Sequence, residues 1–277
     1  LGLSYGKHSQ ILPFMVYFRK SEEHEQLSNK GLGMTKSDHL VLGYDLLISK
    51  SLRLKLETYY QNIYNVPVDT SPTAYSLLNE GADYIIRSSG ELIGEGTGYN
   101  YGLELTLEKF FSDNYYFLLT TSLFNSRFVG SDGIDHPTVF SGNYAANFLL
   151  GKEFILSNAN RSQKKSVSKI VLDFKQSMAG GKRYTPFEIV QLPTGQYEAL
   201  YDESMQFEKQ LKDYFRTDIK IGYKLQTRGV SQSLIFYIQN VTNHKNILVQ
   251  NLDKANGLII NEYQLGFFPV VLYRIEF

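Results

Sequence analysis

The sequence predicts an all-β protein, a portion of an antiparallel transmembrane β-barrel with about ten strands, long outer loops and mostly short periplasmic turns. Segments of about ten residues alternate apolar and polar side chains, which is the length and pattern of a tilted barrel strand. Tyr and Phe number 21 and 18 among the 277 residues, an excess that fits a barrel with aromatic girdles at its rims. Long and short connections also alternate. We therefore assign residues 1–277 to one barrel portion.

The first five predicted strands span 1–6, 39–48, 52–61, 99–110 and 115–124. The segment LRLKLETYYQ at 52–61 alternates most clearly, with leucines on one face and charged residues on the other. The segment YNYGLELTLEKF at 99–110 repeats the pattern, with tyrosines at its start. No charge interrupts the row of leucines in either segment, as a lipid-facing stripe requires. The other three segments alternate more weakly.

The second five predicted strands span 142–151, 169–178, 215–225, 233–240 and 264–277. In 215–225, Ile and Tyr alternate with Asp, Lys and Gly, whereas the last segment ends in the alternating string VVLYRIEF. Pro269 inside that segment removes a hydrogen-bond donor from the ladder, which a strand tolerates at a bulge or near its start. Helical spacing is not evident over any useful length.

The connections between these segments fall into two sets. The short set is 49–51, 112–114 and 227–232, together with the longer, basic 152–168. The long set is 7–38, 66–98, 125–141, 179–213 and 241–262, and it holds six of the seven prolines. Long loops at one end and tight turns at the other are typical of outer-membrane barrels. The long loops are accordingly where recognition is expected.

Composition excludes several classes of function. The 28 Lys and Arg balance the 28 Asp and Glu, so net charge predicts no nucleic-acid partner. Cysteine is absent, which excludes disulfides and thiolate metal sites. No apolar run reaches the roughly 18 to 20 residues of a membrane helix. Because the chain starts at Leu1 without a leader, we expect it to be a fragment of a longer protein.

No catalytic, metal or cofactor site is predicted. The histidines have no metal-ligand spacing and no HExxH string occurs; they are His8, His24, His39, His136 and His244. The glycine-rich string GEGTGYNYG at 94–102 has no strand-to-helix context, so we interpret it as a loop that enters a strand. A protease barrel would need clustered Asp and His, for which Asp132, Asp135 and His136 are the nearest approach. Their string GSDGIDHP reads instead as a turn, so an enzyme is not predicted.

Ligand contacts are predicted in the long loops, because loop aromatics stack on sugars or siderophore rings and Arg binds carboxylate or phosphate in two-point fashion. The candidates are Tyr75, Tyr84, Arg87, Arg183, Tyr184 and Tyr197. The alternative for Arg183 and Tyr184 is that they fix the conformation of their loop. For the strands, the alternative is an ordinary half-buried sheet with a solvated polar face. Mixed charges on that face, one-sided loops and the apolar last strand favour a wet lumen.

Six stretches together resemble a known family: LRLKLETYYQNIYNVPV (52–68), YNYGLELTLEKFFSDNYYFLLTTSLFNSRFVGSDG (99–133), GNYAANFLLGKEF (142–154), AGGKRYTP (179–186), QNVTNHKN (239–246) and YQLGFFPVVLYRIEF (263–277). In this order they resemble the C-terminal barrel region of TonB-dependent outer-membrane receptors. The similarity is to the branch with a carboxypeptidase-regulatory-like domain before the plug, and it covers nearly the whole chain.

The resemblance implies a 22-stranded barrel around an N-terminal plug, of which this chain would supply the last ten strands. It implies location in the outer membrane of a Gram-negative cell, no enzymatic activity and no cofactor. The implied partners are outer-membrane lipid, the plug domain and, through the missing N-terminal part, TonB; a surface lipoprotein is left open. The implied function is import of a large scarce nutrient, a siderophore, glycan or peptide, with energy coupled through TonB.

The last predicted strand has a further implied role. Val271, Tyr273, Ile275 and Phe277 resemble the sorting signal that the barrel-assembly machinery reads, and a lipid-facing role for them is compatible with it. Two alternatives to the receptor function stay open at this point. One is a passive porin-like channel, and the other is a soluble β-sheet binding module.

Overall fold

The structure is a computed structural model that describes residues 1–18, 28–81, 90–157 and 166–277. The described chain is all-β and its strand pairs are antiparallel, as predicted. Its strands are β1 (Gly2–Gln10), β2 (Thr35–Ser49), β3 (Leu52–Asp69), β4 (Leu92–Ser112), β5 (Tyr115–Val129), β6 (Asp135–Pro137), β7 (Tyr144–Ser157), β8 (Val167–Ala179), β9 (Arg183–Tyr184), β10 (Phe187–Gln191), β11 (Tyr197–Tyr201), β12 (Lys209–Gln210), β13 (Tyr214–Gln226), β14 (Ser231–Gln239), β15 (Ile247–Asp253), β16 (Leu258–Tyr263) and β17 (Phe268–Glu276).

Helix is confined to short pieces of the described chain. They are α1 (Phe14–Tyr17) and three 3₁₀ turns at Ser28–Gly31, Leu77–Asn79 and Glu203–Met205. No helix in this part of the chain has the length and apolarity needed to cross a membrane. The secondary structure therefore agrees with the absence of helical spacing in the sequence.

Ten long strands form one sheet in the order β1-β2-β3-β4-β5-β7-β8-β13-β14-β17, and β6 pairs with β5 off this path. Each predicted strand overlaps one of the ten. The predicted total of about ten is nevertheless wrong, because the described chain has seventeen strands. The other seven lie in the long connections. Among the described residues no pairing joins β1 to β17, so the sheet is open and is not a closed barrel.

The alternation of connection lengths is confirmed. The ends of β2, β4, β7 and β13 and the starts of β3, β5, β8 and β14 lie at one end of the sheet, which we call the turn end; 2, 2, 9 and 4 residues separate them in the sequence. The ends of β1, β3, β5, β8 and β14 and the starts of β2, β4, β7, β13 and β17 lie at the other, the loop end, and longer stretches separate them in the sequence. Asp113 and Asn114 have φ of 54° and 62°, the pattern of a type I′ turn, whose twist matches that of the strands it joins.

Strands β3 and β4 continue beyond the predicted segments toward the loop end. The glycine-rich stretch 94–98, interpreted from sequence as a loop, lies inside β4. A Cβ at Gly96 would lie 2.4 Å from Cγ1 of Val68, so glycine is needed there for the two strands to approach. Register shifts in β3 between Ile63 and Val68 accompany this close packing. The interpretation of 94–98 as a loop was therefore wrong. The glycines allow two strands to pack closely, and the residue pattern of one strand does not show that contact.

Cross-strand register places a row of mostly apolar side chains from each of the ten strands on one side of the sheet, because directly paired residues share a face. We call this side the apolar face and the opposite side the polar face. The apolar face carries Leu3, Tyr5, Leu40, Leu42, Tyr44, Leu46, Leu54, Leu56, Tyr60, Tyr101, Leu103, Leu105, Leu107, Leu119, Leu123, Phe148, Leu150, Ile170, Leu172, Phe174, Ile219, Ile221, Tyr223, Leu234, Phe236, Ile238, Val271, Tyr273 and Ile275.

The apolar face is uncovered in the described chain. Leu103, Ile221 and Phe236 are 48%, 49% and 50% exposed. The buried hydrophobic residues are few, and one cluster of them, Leu12, Val16 and Leu92, lies at the loop end rather than under the sheet. Such a contiguous exposed apolar surface marks contact with a membrane or a partner.

The final strand matches its predicted arrangement. Val271, Tyr273 and Ile275 lie on the apolar face, where the first two pair with Phe236 and Leu234 of β14. Pro269 is the second residue of β17. It therefore lies near the start of the strand, one of the positions where the sequence analysis expected proline to be tolerated. Because β17 pairs on one side only, proline here falls in an edge strand, where it is accepted.

Candidate functional site

The polar face carries most of the charged side chains of the sheet, and many of them meet an opposite charge. The ion pairs on this face are Arg53 with Asp45, Lys55 with Glu57, Lys169 with Glu153, Arg216 with Asp218, Lys220 with Asp173 and Arg274 with Glu276. Several of these pairs join different strands. The charges on this face are therefore arranged in specific pairs and are not scattered at random.

Asp218 is the most buried charged group on this face, with a side chain 3% exposed. Arg216 donates two hydrogen bonds to its carboxylate, at 2.7 and 2.9 Å. The Tyr237 hydroxyl and the Asn240 backbone N–H each donate at 2.8 Å. Four charge-assisted or backbone bonds converge on one carboxylate, so Asp218 holds β13, β14 and the start of the next long connection together.

Asp173 organises a second cluster beside it. Its Oδ1 accepts a 2.9 Å hydrogen bond from the Tyr116 hydroxyl, and the Lys220 ammonium lies 2.5 Å from its Oδ2. A groove of about 480 Å³ runs past these side chains. Its floor includes apolar side chains of the polar face, among them Ile235 and Leu272. This part of the face can contact both charged and apolar groups.

Two tyrosines of the polar face lie across glycines of the neighbouring strand. Tyr59 pairs directly with Gly102, and Tyr116 pairs with Gly151. A Cβ at Gly102 would lie 2.8 Å from the Tyr59 hydroxyl oxygen, and one at Gly151 would lie 2.1 Å from Cε1 of Tyr116. The missing side chain thus lets each ring lie along the sheet, an arrangement known to stabilise glycine positions in strands.

We expect Gly151→Ala to destabilise the protein by about 1 to 3 kcal/mol, the usual cost of inserting a methyl group into a filled site. The Tyr116 ring cannot swing away freely because Asp173 holds its hydroxyl. Gly222→Ala is the matched control, since its Cβ would have no neighbour nearer than 3.6 Å. Thermal unfolding of the full-length protein in detergent measures both. Equal melting temperatures for the two variants would contradict the packing.

A second groove, which we call the acidic groove, lies on the polar face of β2 to β5 and has a volume of about 470 Å³. Glu57 and Glu104 are direct cross-strand partners within it. Like charges in this position repel each other, and Lys55 neutralises only Glu57 at 2.5 Å. Glu104 therefore supplies to the groove a carboxylate that forms no ion pair with a described side chain.

The rest of the acidic groove supplies amides and aromatic rings. Asn100 donates a 2.9 Å hydrogen bond to Gln61, which aligns the two amides across β3 and β4. His39 and Tyr59 meet edge to face with centroids 5.9 Å apart. Phe140 closes the loop end of the groove. Such a mixture can bind hydroxyl or amine groups through the polar side chains while the rings cover apolar surface.

The loop residues predicted to contact ligand are not brought together in one cluster. Tyr84 and Arg87 lie outside the described residues. Tyr75 packs against the apolar cluster at the loop end. Tyr184 lies in β9, opposite Lys209. Tyr197 begins β11, and its ring lies against Gly257 in the β15–β16 connection.

The Arg183 side chain forms hydrogen bonds with the backbone of neighbouring loop segments. Its guanidinium donates to the carbonyl oxygens of Ser141, Phe207 and Glu208 at 2.6, 3.2 and 3.4 Å, and to Oδ1 of Asn143 at 2.9 Å. Burial lowers the pKa of Arg183, and the charge of Glu208 opposes that shift. These contacts support the alternative stated from sequence, in which Arg183 fixes the conformation of its loop.

We expect Arg183→Met to loosen the 138–143 and 206–210 segments, because hydrogen bonds to a charged group contribute about 1.5 to 3 kcal/mol each. Backbone amide exchange there should accelerate by about tenfold or more. Lys182→Met is the matched control, since the Lys182 side chain makes one 3.4 Å contact from an exposed position. Unchanged exchange together with weaker nutrient binding would instead make Arg183 a ligand contact.

The Asp and His residues of GSDGIDHP do not form a free catalytic group. Nε2 of His136 lies 2.8 Å from Asp132, and the side chain is 1% exposed against Phe128. Asp132 also accepts a 3.0 Å bond from the Ile134 N–H, which closes a turn. Asp135 binds Arg127 instead. His136 is therefore buried and paired, and the turn interpretation of this string agrees with the geometry.

No group of His, Asp and Glu in the described part of the chain has the arrangement of a metal site. Comparison with known proteins adds no identification. No family model matches the chain, and no curated protein is significantly similar to it.

Proposed function

We propose that this chain is part of the barrel wall of a TonB-dependent outer-membrane receptor, which imports a large scarce nutrient such as a siderophore, a glycan or a peptide. The observation that carries the proposal is the two-faced sheet. A predominantly apolar face runs across all ten long strands, while the opposite face carries paired charges. A sheet that separates hydrocarbon from an aqueous lumen has this organisation.

The height of the apolar face along the strands matches that of a membrane-facing band. On β4 the apolar rows lie between Tyr99, whose hydroxyl binds Asp135 at the loop end, and Lys109 near the turn end. Ten residues rise about 33 Å along a strand at about 3.3 Å each. A strand tilt of about 40° reduces this to about 25 Å, the height of a lipid-facing band.

The polar face supports a receptor with an occupied lumen. Both the acidic groove and the groove beside Asp173 open on this face, so a plug or a passing nutrient would meet carboxylates, amides and aromatic rings. Apolar side chains such as Leu272 on the same face suit contact with a folded plug better than contact with water alone. The proposal assigns binding and transport to this protein, and no catalysis.

A passive porin-like channel is the second candidate, since an apolar outer face and a charged lumen serve it equally well. The two differ in energy coupling. Growth of the native cell on the nutrient as sole source, with and without TonB, tests the proposal. Loss of growth without TonB supports the receptor, whereas unchanged growth identifies a passive channel.

The soluble β-sheet module is tested by fractionation of the full-length protein. We expect it in the outer-membrane fraction, released only by detergent. Recovery in the soluble fraction without detergent would overturn both membrane functions, because a soluble protein does not expose a continuous apolar face of this size.

A further inference from the structure

Two lysines contact one tyrosine ring at the turn end of the apolar face. Tyr115 pairs directly with Lys152, and Lys109 pairs with Phe117 two residues along the same strand. The ammonium groups of Lys109 and Lys152 lie 4.0 and 5.1 Å from the centroid of the Tyr115 ring. The two nitrogens are therefore at most about 9 Å apart.

Neither lysine has a carboxylate partner among the described residues. Lys109 is 8% exposed, and its ammonium group donates to the hydroxyl and to the carbonyl oxygen of Ser112. Lys152 donates at 3.5 Å to the carbonyl oxygen of Asp113 rather than to its carboxylate. Two positive charges thus lie close together without a neutralising group.

Several other cations on the two faces meet a carboxylate. At the loop end of the apolar face, Lys7 lies 3.6 Å from Asp38 and Arg127 lies 2.8 Å from Asp135. On the polar face Lys220 meets Asp173. The pair at Tyr115 differs from these cations because two ammonium groups share one ring and neither meets a described carboxylate, an arrangement that suits an anion supplied from outside the chain.

From this geometry we infer a binding site for a phospholipid of net negative charge at Tyr115, with the lipid phosphate between Lys109 and Lys152. The inference rests on the proposed membrane function. The partly exposed Lys152 can contact the phosphate through its flexible stem, and the largely buried Lys109 adds positive charge close by. Tyr115 adds an amphipathic ring at the level of the headgroups. The acyl chains would lie along Phe117 and Leu150, which continue the apolar face toward its centre.

The charge and the position together favour a lipid over a free anion. A free phosphate requires only the two ammonium groups, whereas the exposed apolar rows beside them fit acyl chains. A basic residue near an anionic lipid surface contributes about a fivefold gain in affinity. Two of them predict a clear preference for anionic over zwitterionic lipid at this position.

Native mass spectrometry of the purified full-length protein tests the site. The protein in mild detergent is mixed with equal amounts of phosphatidylglycerol and phosphatidylcholine, and the retained lipid is counted. We expect preferential retention of phosphatidylglycerol in the wild type. The double variant Lys109→Gln and Lys152→Gln should reduce this retention by about tenfold or more, and Lys152→Gln alone by about fivefold.

The control is a double variant that removes the same charge from the polar face, Lys175→Gln with Lys224→Gln, and it should retain phosphatidylglycerol like the wild type. Equal retention in the wild type and the Lys109 and Lys152 double variant would overturn the site. Displacement of phosphatidylglycerol by millimolar inorganic phosphate would also overturn it, in favour of a free-anion site.

Folding and function are separated from the lipid site by two readouts. Heat-modifiable migration on a gel confirms that each variant is folded, and the partly exposed Lys152 supplies a single variant should the double variant fail to fold. A full-length protein found in the soluble fraction would refute the membrane function itself. A protein found in the outer membrane without lipid preference would refute the lipid site alone.

Discussion

Leu105→Arg is expected to prevent assembly of the full-length protein in the outer membrane. Leu105 lies at the middle of the apolar rows of β4, between Leu56 on β3 and Thr121 on β5. An arginine at the bilayer centre costs about 2 to 4 kcal/mol on the lipid face of a barrel. The amount of heat-modifiable, protease-resistant protein in isolated outer membranes measures the effect.

Thr106→Arg is the control for this prediction, because the next residue along the strand points to the polar face. It pairs with Lys55 and Thr120, close to charged side chains that face an aqueous lumen in the proposed function. We expect near-normal assembly. Equal losses for the two variants would show that the two faces have been assigned wrongly, and the receptor proposal would fall with them.

Asp218→Ala is expected to lower the stability of the folded protein by about 3 kcal/mol or more, the effect of removing one partner from a buried ion pair. The substitution leaves the Arg216 guanidinium, the Tyr237 hydroxyl and the Asn240 N–H without their shared acceptor. The melting temperature of the full-length protein in detergent should fall markedly.

Lys55→Met is the matched control for Asp218→Ala, because it breaks an ion pair of the same face whose side chains are 38% and 28% exposed. Exposed pairs contribute at most about 1 kcal/mol. Asp218→Asn keeps the shape of the side chain and should lie between the two. A melting temperature for Asp218→Ala no lower than that for Lys55→Met would refute the role of Asp218 as a structural hub.

The ten long strands were predictable because each carries its own alternating pattern. In 99–110 the leucines lie on the apolar face and the residues between them lie on the polar face. The pattern of this one strand is therefore enough to assign its side chains to the two faces. The seven short strands in the long connections were missed for the opposite reason. β9 and β12 have two residues each and exist because Arg183 pairs with Gln210 and Tyr184 with Lys209 across the loop, contacts that no local pattern encodes.

The grooves were not predictable, because they depend on register between strands. Glu57 and Glu104 are 47 positions apart, and only the pairing of β3 with β4 places them opposite each other. The same is true of Lys220 and Asp173, which β8 and β13 bring together. The sequence showed that each side chain belongs to the polar face. To predict which of these side chains lie together in the grooves, the register between neighbouring strands would also have to be known.

The hairpins β10–β11 and β15–β16 change how the loop end would meet a large molecule. Each has its own backbone ladder, and the Tyr197 N–H donates at 2.7 Å to the Lys254 carbonyl oxygen between them. Their conformational entropy is lost when the protein folds rather than when a ligand arrives. In the proposed receptor function, capture of a nutrient by these hairpins would therefore need little induced ordering, and less of the contact energy would be lost on binding.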